Sequence, residues 1–569
     1  MQYKKYRIHT RSCHSRESGN LKTVSLLDSH FRGNDTLPDS KGLPLESYFL
    51  LFRSKGSPLE RGMNIIFYLS LLFIFSSCAR EYKSEEIYNI WRNSGNKNTV
   101  IKIINPFNES LFPPEFPSPT FFWEETNKDF NSWIVVIEQD KEFKYISPIL
   151  RIRKWKLDPK IWEKIKSLPH NNFYNITIIG FDWFNHKRFS NGTARFAISD
   201  DSVGAPIFYR SVPLPFSFAV RHLDSIEWKL LDISNANEPK TVLKNMKICS
   251  NCHSFSANGK SLGMDIDYGN DKGSYITANI EAETKLYKEN IFTWNDYKRE
   301  DNEYTFGFLS QVSPDGRYII STVKDRSIFV SQENIYFSQL FFPIKGILIY
   351  YDSKTKEFYP LKGADDRAYV QSNGSWSPDG KTIYFARANS LILPEADTSR
   401  ETILPPYIAR DFIRGKRDFK YDIYTIPFNN GKGGKSKPLA GASGNGLSNY
   451  FPRCSPDGKW LVFCQANNFM LLQPDSKLYI MPSNGGIPLL MNCNTSKMNS
   501  WHSWSPNSKW LAFSSKAFGP YTNLFISHID SKGMDSPPVW LENAVPNNRA
   551  VNIPEFVNIR YSELEKIIY

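Results

Sequence analysis

The chain has 569 residues, enough for two or three domains with substantial cores, and 15% of them are aromatic alongside 31 Gly and 35 Pro, a composition of short strands and many turns. Lys and Arg number 70 against 58 Asp and Glu, a formal charge of +12. Residues 1–62 account for about +5 of that charge, and the remaining excess is spread thinly with no dense basic block, which excludes a nucleic-acid-binding surface and leaves at most a mild attraction for acidic partners or an anionic membrane.

Residues 1–62 look foreign to the rest of the chain: Ser40-Lys41-Gly42-Leu43-Pro44-Leu45-Glu46 recurs closely as Ser54-Lys55-Gly56-Ser57-Pro58-Leu59-Glu60. The tract resembles a translated intergenic repeat, as results from a start codon placed too far upstream, and is expected to be disordered and outside the fold. Met63 opens residues 63–77, read as a signal peptide, because the apolar run 65–75 has the length of a signal core and is too short to span a bilayer as a stable helix. Ser76-Ser77-Cys78 comes next, and small residues before a Cys resemble the bacterial lipoprotein signal, which implies acylation of Cys78 and a membrane lipid anchor. Two departures from that pattern are the absence of Lys or Arg from residues 63–68 and Phe75 where Leu is usual. An ordinary secretory signal or an uncleaved anchor is the alternative, and every version places the folded part in the periplasm or cell envelope. Residues 78–100 are polar and are expected to be a tether.

Residues 101–189 carry strand-like runs at Thr120-Phe121-Phe122-Trp123, Trp133-Ile134-Val135-Val136-Ile137 and Ile176-Thr177-Ile178-Ile179, with a short amphipathic segment over 159–167. A proline-rich opening, a Trp on an early strand and Tyr174 near the last resemble a fibronectin type III-like β-sandwich.

From residue 190 to 545 a hairpin recurs. It reads Val312-Ser313-Pro314-Asp315-Gly316-Arg317, Trp376-Ser377-Pro378-Asp379-Gly380-Lys381, Cys454-Ser455-Pro456-Asp457-Gly458-Lys459 and Trp504-Ser505-Pro506-Asn507-Ser508-Lys509, each followed by an apolar strand. Pro presets the first turn φ, Asp bonds the backbone just after it, and Gly takes the positive φ. Phe255-Ser256-Ala257-Asn258-Gly259-Lys260 fits the same frame, and Ile198-Ser199-Asp200-Asp201-Ser202 is a degenerate first copy. Four strands per unit, repeated this way, indicate the blades of an all-β propeller, each burying its faces only against its neighbours. The set resembles the TolB-type β-propeller repeat family, with six blades by this count and five or seven as alternatives. Residues 546–569 are expected to form a C-terminal tail.

Within that frame Cys249-Ser250-Asn251-Cys252-His253 has the C-x-x-C-H spacing of c-type haem attachment. Two thiols three residues apart each add across a vinyl group on the porphyrin edge, and the adjacent neutral imidazole of His253 binds the iron. The alternatives are a Cys249–Cys252 dithiol or disulfide and half of a zinc site, although no second pair of ligands lies nearby in sequence. The sequence from the sandwich through Asn251-Cys252-His253-Ser254-Phe255-Ser256 resembles envelope proteins that embed a cytochrome c motif in a TolB-like propeller, which implies haem c at a blade edge.

A second axial ligand decides whether such an iron is closed or open to substrate. Met264, eleven residues after His253, is one candidate, although it also fills the core slot held by Phe385 and Phe463 in other units. His502 is the other, since it stands in the same frame position as His253. Lys260 is a candidate contact for a haem propionate. Asp265, Asp267, Asn270 and Asp271 cluster just beyond, read either as a solvated turn or as a cation site. Cys454, Cys464 and Cys493 remain, an odd number that allows at most one disulfide among them. No Ser-His-Asp signature, Gly-rich phosphate loop or H-E-x-x-H zinc helix is present. The expectation is a lipid-anchored monohaem cytochrome passing electrons to or from a redox protein partner in the envelope. The rivals are a non-redox interaction scaffold with a Cys249–Cys252 disulfide and a haem enzyme with an open iron.

Overall fold

The computed structural model describes residues 82–569 apart from 96, 141, 171, 332, 333, 338, 394–401 and 545–547, so the upstream extension, the signal segment and Cys78 lie outside the described residues. No helix among the described residues is long and apolar enough to cross a membrane.

The expected tether instead contains a helix, Ser84–Asn93. Glu85 and Glu86 in its first turn and Arg92 in its last complement the helix dipole. Ile87 and Tyr88 are buried against Ile134, Val136, Ile179 and Phe181, with Trp91 beside them. A polar composition hides this narrow apolar stripe, which is why the segment reads as a tether.

The N-terminal domain is built on two sheets. Lys97–Thr99, Asn185–Ile198, Tyr174–Asp182, Ser132–Gln139 and Phe143–Ile146 lie in that order, with Ser110–Phe112 also paired to Asn185–Ile198, and Ile101–Asn105, Thr120–Glu125 and Lys154–Lys156 form a second sheet. Successive residues of a strand face opposite sides. Ile134 and Val136 therefore pack under the helix, while Trp133, Val135 and Ile137 enter the main core. The expected amphipathic segment is the helix Pro159–Lys166, capped by the Asp158 carboxylate and anchored by buried Trp162 and Ile165. That core continues into Tyr209, Trp510, Leu524 and Val551, so it joins this domain to the next.

From Ile207 onward the described strands include six antiparallel sets of four. The second to sixth sets begin with Ser250–Phe255, Phe308–Val312, Tyr369–Trp376, Ser448–Cys454 and Asn499–Trp504 and continue outward in chain order, the third and fourth being joined at one bridge. The first set runs Arg549–Phe556, Ile207–Pro213, Glu227–Leu231, Lys240–Leu243. Each leading strand touches the next, Asn499–Trp504 touches Arg549–Phe556, and that strand touches Ser250–Phe255, so the ring closes as a β-propeller.

Two expectations change here. Residues 546–569 are not a tail, since Arg549–Phe556 is the leading strand of the first set and Lys566–Ile568 pairs with Glu283–Lys285. Ile198 ends a strand of the N-terminal domain, so the degenerate hairpin there is a link between domains. A strand borrowed from the far end of the chain leaves no hairpin to read at the near end.

The other five hairpins share one turn chemistry. Asp315, Asp379 and Asp457 each accept a hydrogen bond from the preceding Ser hydroxyl and from the backbone N–H two residues on, and Asn507 and Asn258 do the same. Gly259, Gly316, Gly380 and Gly458 take φ of 70°, 82°, 69° and 74° at the turn. The turn after the C-x-x-C-H motif is thus built like the others.

Candidate functional site

Five of the six leading strands carry a β-bulge at one place in the frame. Register shifts fall between Phe308 and Gln311, Ser372 and Ser375, Tyr450 and Arg453, and Ser500 and Ser503, and again opposite Phe208 and Arg210. At these bulges Leu309, Asn373, Phe451, Trp501 and Ile553 take positive φ between 53° and 59°. A bulge re-aims the residue it displaces. Leu309, Phe451, Trp501 and Ile553 accordingly line the central cavity, whose volume is about 320 Å³.

In the second set the shift lies one residue earlier, between Ser250 and His253, and counting back from the hairpin Ser puts Cys252 at the position of Leu309. Cys252 is the one of the six that is not left-handed. Its side chain lines the cavity and is 5% exposed, whereas Cys249 at the strand entry is exposed, and both thiols are free. Burial pushes the Cys252 thiol well above its ordinary range.

His253 is 1% exposed, with the Phe208 and imidazole rings nearly perpendicular, 4.7 Å between centroids. Burial pulls its pKa down to about 3 against a smaller opposing pull from the nearby Ile553 backbone, so the ring is neutral, and neither ring nitrogen has a partner at hydrogen-bonding geometry. Buried imidazoles ordinarily find partners. An unpartnered neutral one directly after two free thiols fits the donor set of a covalently held haem. No three His, Cys, Asp or Glu side chains converge as a metal site among the described residues, so the zinc alternative finds no second half.

The other expected ligands sit differently. His502 matches His253 in frame, but its Nε2 lies 3.0 Å from the Val462 carbonyl and its Nδ1 3.8 Å from Cys464 Sγ, so both nitrogens are engaged in the core. Met264 is directly opposite His253 in the antiparallel pair and wholly buried. Cross-strand partners project side by side on one face, and Met264 fills a core position there. Met264→Leu is therefore expected to cost less than about 1.5 kcal/mol of stability and to leave any haem spectrum unchanged, as urea titration and visible absorption would show.

Lys260 is exposed in the hairpin turn at the opposite end of its strand from Cys249. The acidic cluster divides. Asp265 is buried with Oδ1 accepting from the Ser310 hydroxyl at 2.8 Å, and burial pushes its carboxyl well up; Asp267 also has an unpartnered oxygen. Asn270 and Asp271 form a turn, Asp271 accepting from the Gly273 N–H at 3.0 Å and the Asn295 amide at 2.6 Å. The turn reading holds for that pair.

Sequence reasoning missed Arg210, Arg453 and Glu555. Glu555 lines the cavity and accepts the Phe255 N–H at 3.0 Å, and burial pushes its carboxyl up to about 7, with that hydrogen bond and the nearby Arg453 opposing. Arg210 is 7% exposed, its charge acted on by Cys249 and Cys252. Only the frame itself held a signal for Glu555, which stands where Ser254, Gln311, Ser375, Arg453 and Ser503 stand in the other leading strands.

No protein-family model matches the chain, and no curated protein does. Among solved structures it is similar to TolB from Acinetobacter baumannii, at 14% identity over 68% of this chain and 79% of that one, with a TM-score of 0.37. A TolB from Agrobacterium tumefaciens gives 11% identity, 62% and 99% coverage and 0.32. A periplasmic gluconolactonase from Pseudomonas aeruginosa gives 10%, 62% and 100%, and 0.33. Likeness at this level carries nothing about activity, and the closed ring rests on the strand pairing alone.

Proposed function

We propose that the protein is an exported, lipid-anchored monohaem c-type cytochrome, in which a fibronectin type III-like sandwich and a six-bladed TolB-like propeller present one haem c to a redox partner in the periplasm or cell envelope. The observation that carries this reading is His253, a buried neutral imidazole with two unpartnered nitrogens, immediately after the free thiols of Cys249 and Cys252. Cys249 and Cys252 would be the tethers and His253 the axial ligand, while the haem supplies the one-electron chemistry. The chain contributes a low-dielectric wall formed by Phe208 and Phe255, and the rigid ring holds the strand entry in place. The mild basic excess suits docking to an acidic partner.

The test is expression from Met63 in a host with a c-type maturation system. Colour that survives a denaturing gel, a haemochrome spectrum and a mass increase of one haem are expected, and Cys249→Ser with Cys252→Ser removes all three. A chain with both thiols free and no tetrapyrrole under the same conditions refutes the reading. Met264 packs in the core beside His253 and both His502 nitrogens have partners, so carbon monoxide is expected to bind the reduced, haem-loaded protein, as its Soret shift would report.

A further inference from the structure

Arg210 lies two residues from Phe208 on the strand Ile207–Pro213 and hence on the same face, the one that meets His253. It is buried, its Nε has no hydrogen-bond partner, and it forms no ion pair with a carboxylate among the described residues. The groups that act on its charge are the thiols of Cys249 and Cys252, which are not acids at neutral pH. The Trp228 ring, 5.7 Å from the guanidinium, gives only a weak cation–π contact. A guanidinium withdrawn from water without a counterion is strongly disfavoured, and removing it commonly stabilises a fold. Its retention beside the C-x-x-C-H strand calls for an anion that no described residue supplies.

We propose that Arg210 is an anion-binding residue of this site, and that its partner is a propionate carboxylate of the haem held by Cys249, Cys252 and His253. The inference rests on the haem reading. A planar guanidinium offers a forked pair of donors that matches a carboxylate's two oxygens. Arg210 thereby takes the role that the sequence suggested for Lys260, which is exposed in the turn at the far end of the strand.

The proposal requires the sign of Arg210's contribution to reverse with loading. The experiment compares the wild-type chain from Met63 with Arg210→Met and Arg210→Lys, each made with and without haem maturation, by thermal midpoint and, for the loaded forms, by redox titration. Arg210→Met is expected to raise the midpoint of the haem-free chain and to lower that of the loaded chain. It is also expected to lower the reduction potential, because loss of a nearby cation favours the ferric state, with Arg210→Lys in between. Equal loss of thermal midpoint in both forms with an unchanged potential overturns the proposal and makes Arg210 a structural residue. Stabilisation of the haem-free wild type by inorganic phosphate, with potentials the same in wild type and both variants, also overturns it, assigning the guanidinium to a free anion. Failure of the underlying haem reading is distinguishable, because the wild type itself would then carry no tetrapyrrole.

Discussion

A chain ending at Asn548 is expected to accumulate unfolded or as aggregate, with no cooperative thermal transition. The strand Arg549–Phe556 leads the first set, pairs with Ile207–Pro213 and touches the leading strands on both sides of it. Its loss removes the hydrogen bonds from the Phe255 N–H to Glu555, from the Phe556 N–H to the Ser503 hydroxyl and from the Val557 N–H to the Pro206 carbonyl. It also removes Val551, Phe556, Val557, Leu564 and Ile567, all buried. At about 1.5–3 kcal/mol for each large apolar side chain, and taking that as an upper estimate, the loss is roughly 7–15 kcal/mol, comparable with the entire stability of an ordinary domain. Beyond that, Ile207–Pro213 is left as an open edge in the middle of a ring. A chain ending at Glu563 is the control: it loses Leu564, Ile567 and the pairing of Lys566–Ile568, but keeps the closing strand. That shorter truncation is expected to fold with a lowered thermal midpoint. Far-UV circular dichroism and thermal unfolding of the two would separate the effect of closing the ring from that of trimming its rim.

The contrast between hairpins and closure shows which parts of this fold the sequence makes legible. Ser-Pro-Asp-Gly turns can be read because their chemistry is local: Ser, Asp or Asn and Gly satisfy one another within five residues. The closing strand pairs residues such as Arg549 and Ser211, 338 apart in sequence. It is followed by Val557-Asn558 instead of a Ser-Pro pair, so nothing local announces it. The helix Ser84–Asn93 is hidden for a different reason, the stripe of Ile87, Tyr88 and Trp91 being diluted by charged neighbours. At the site, the frame matches His253 with His502, yet their surroundings differ because a neighbouring set supplies the Val462 carbonyl and Cys464 sulfur to His502 and the Phe208 ring to His253. Arg210 was invisible as a lone basic residue in a strand, because its significance is the absence of a partner, which only the fold reveals.

His502 gives the second large effect, a loss of stability on acidification. Burial, with Arg453 nearby, depresses its imidazole pKa from 6.5 to about 3, so the folded chain keeps the ring neutral where the unfolded chain protonates it. Stability from this group is therefore complete above pH 6.5 and drains away as the pH falls through the interval down to about 3, at about 1.4 kcal/mol per pH unit. Near pH 4.5 the loss from His502 amounts to about 3 kcal/mol. His502→Gln does not titrate, and its amide can still donate to the Val462 carbonyl, so its cost is a constant of about 1 kcal/mol for the contact to Cys464 and the changed packing. Wild type is then the more stable protein near neutrality, the variant the more stable by roughly 2 kcal/mol near pH 4.5, and the two curves cross near pH 6. Glu555 and Asp325 act in the opposite sense: their carboxyls are raised by burial to about 7 and about 6, so their contribution is full at low pH and is lost as the pH rises through those values. Both carboxyls and His253 are common to the two proteins and cancel in the difference. Urea midpoints of the haem-free forms at about pH 7 and about pH 4.5 measure it directly, and parallel losses in wild type and variant would mean that the His502 ring accepts its proton without leaving the fold.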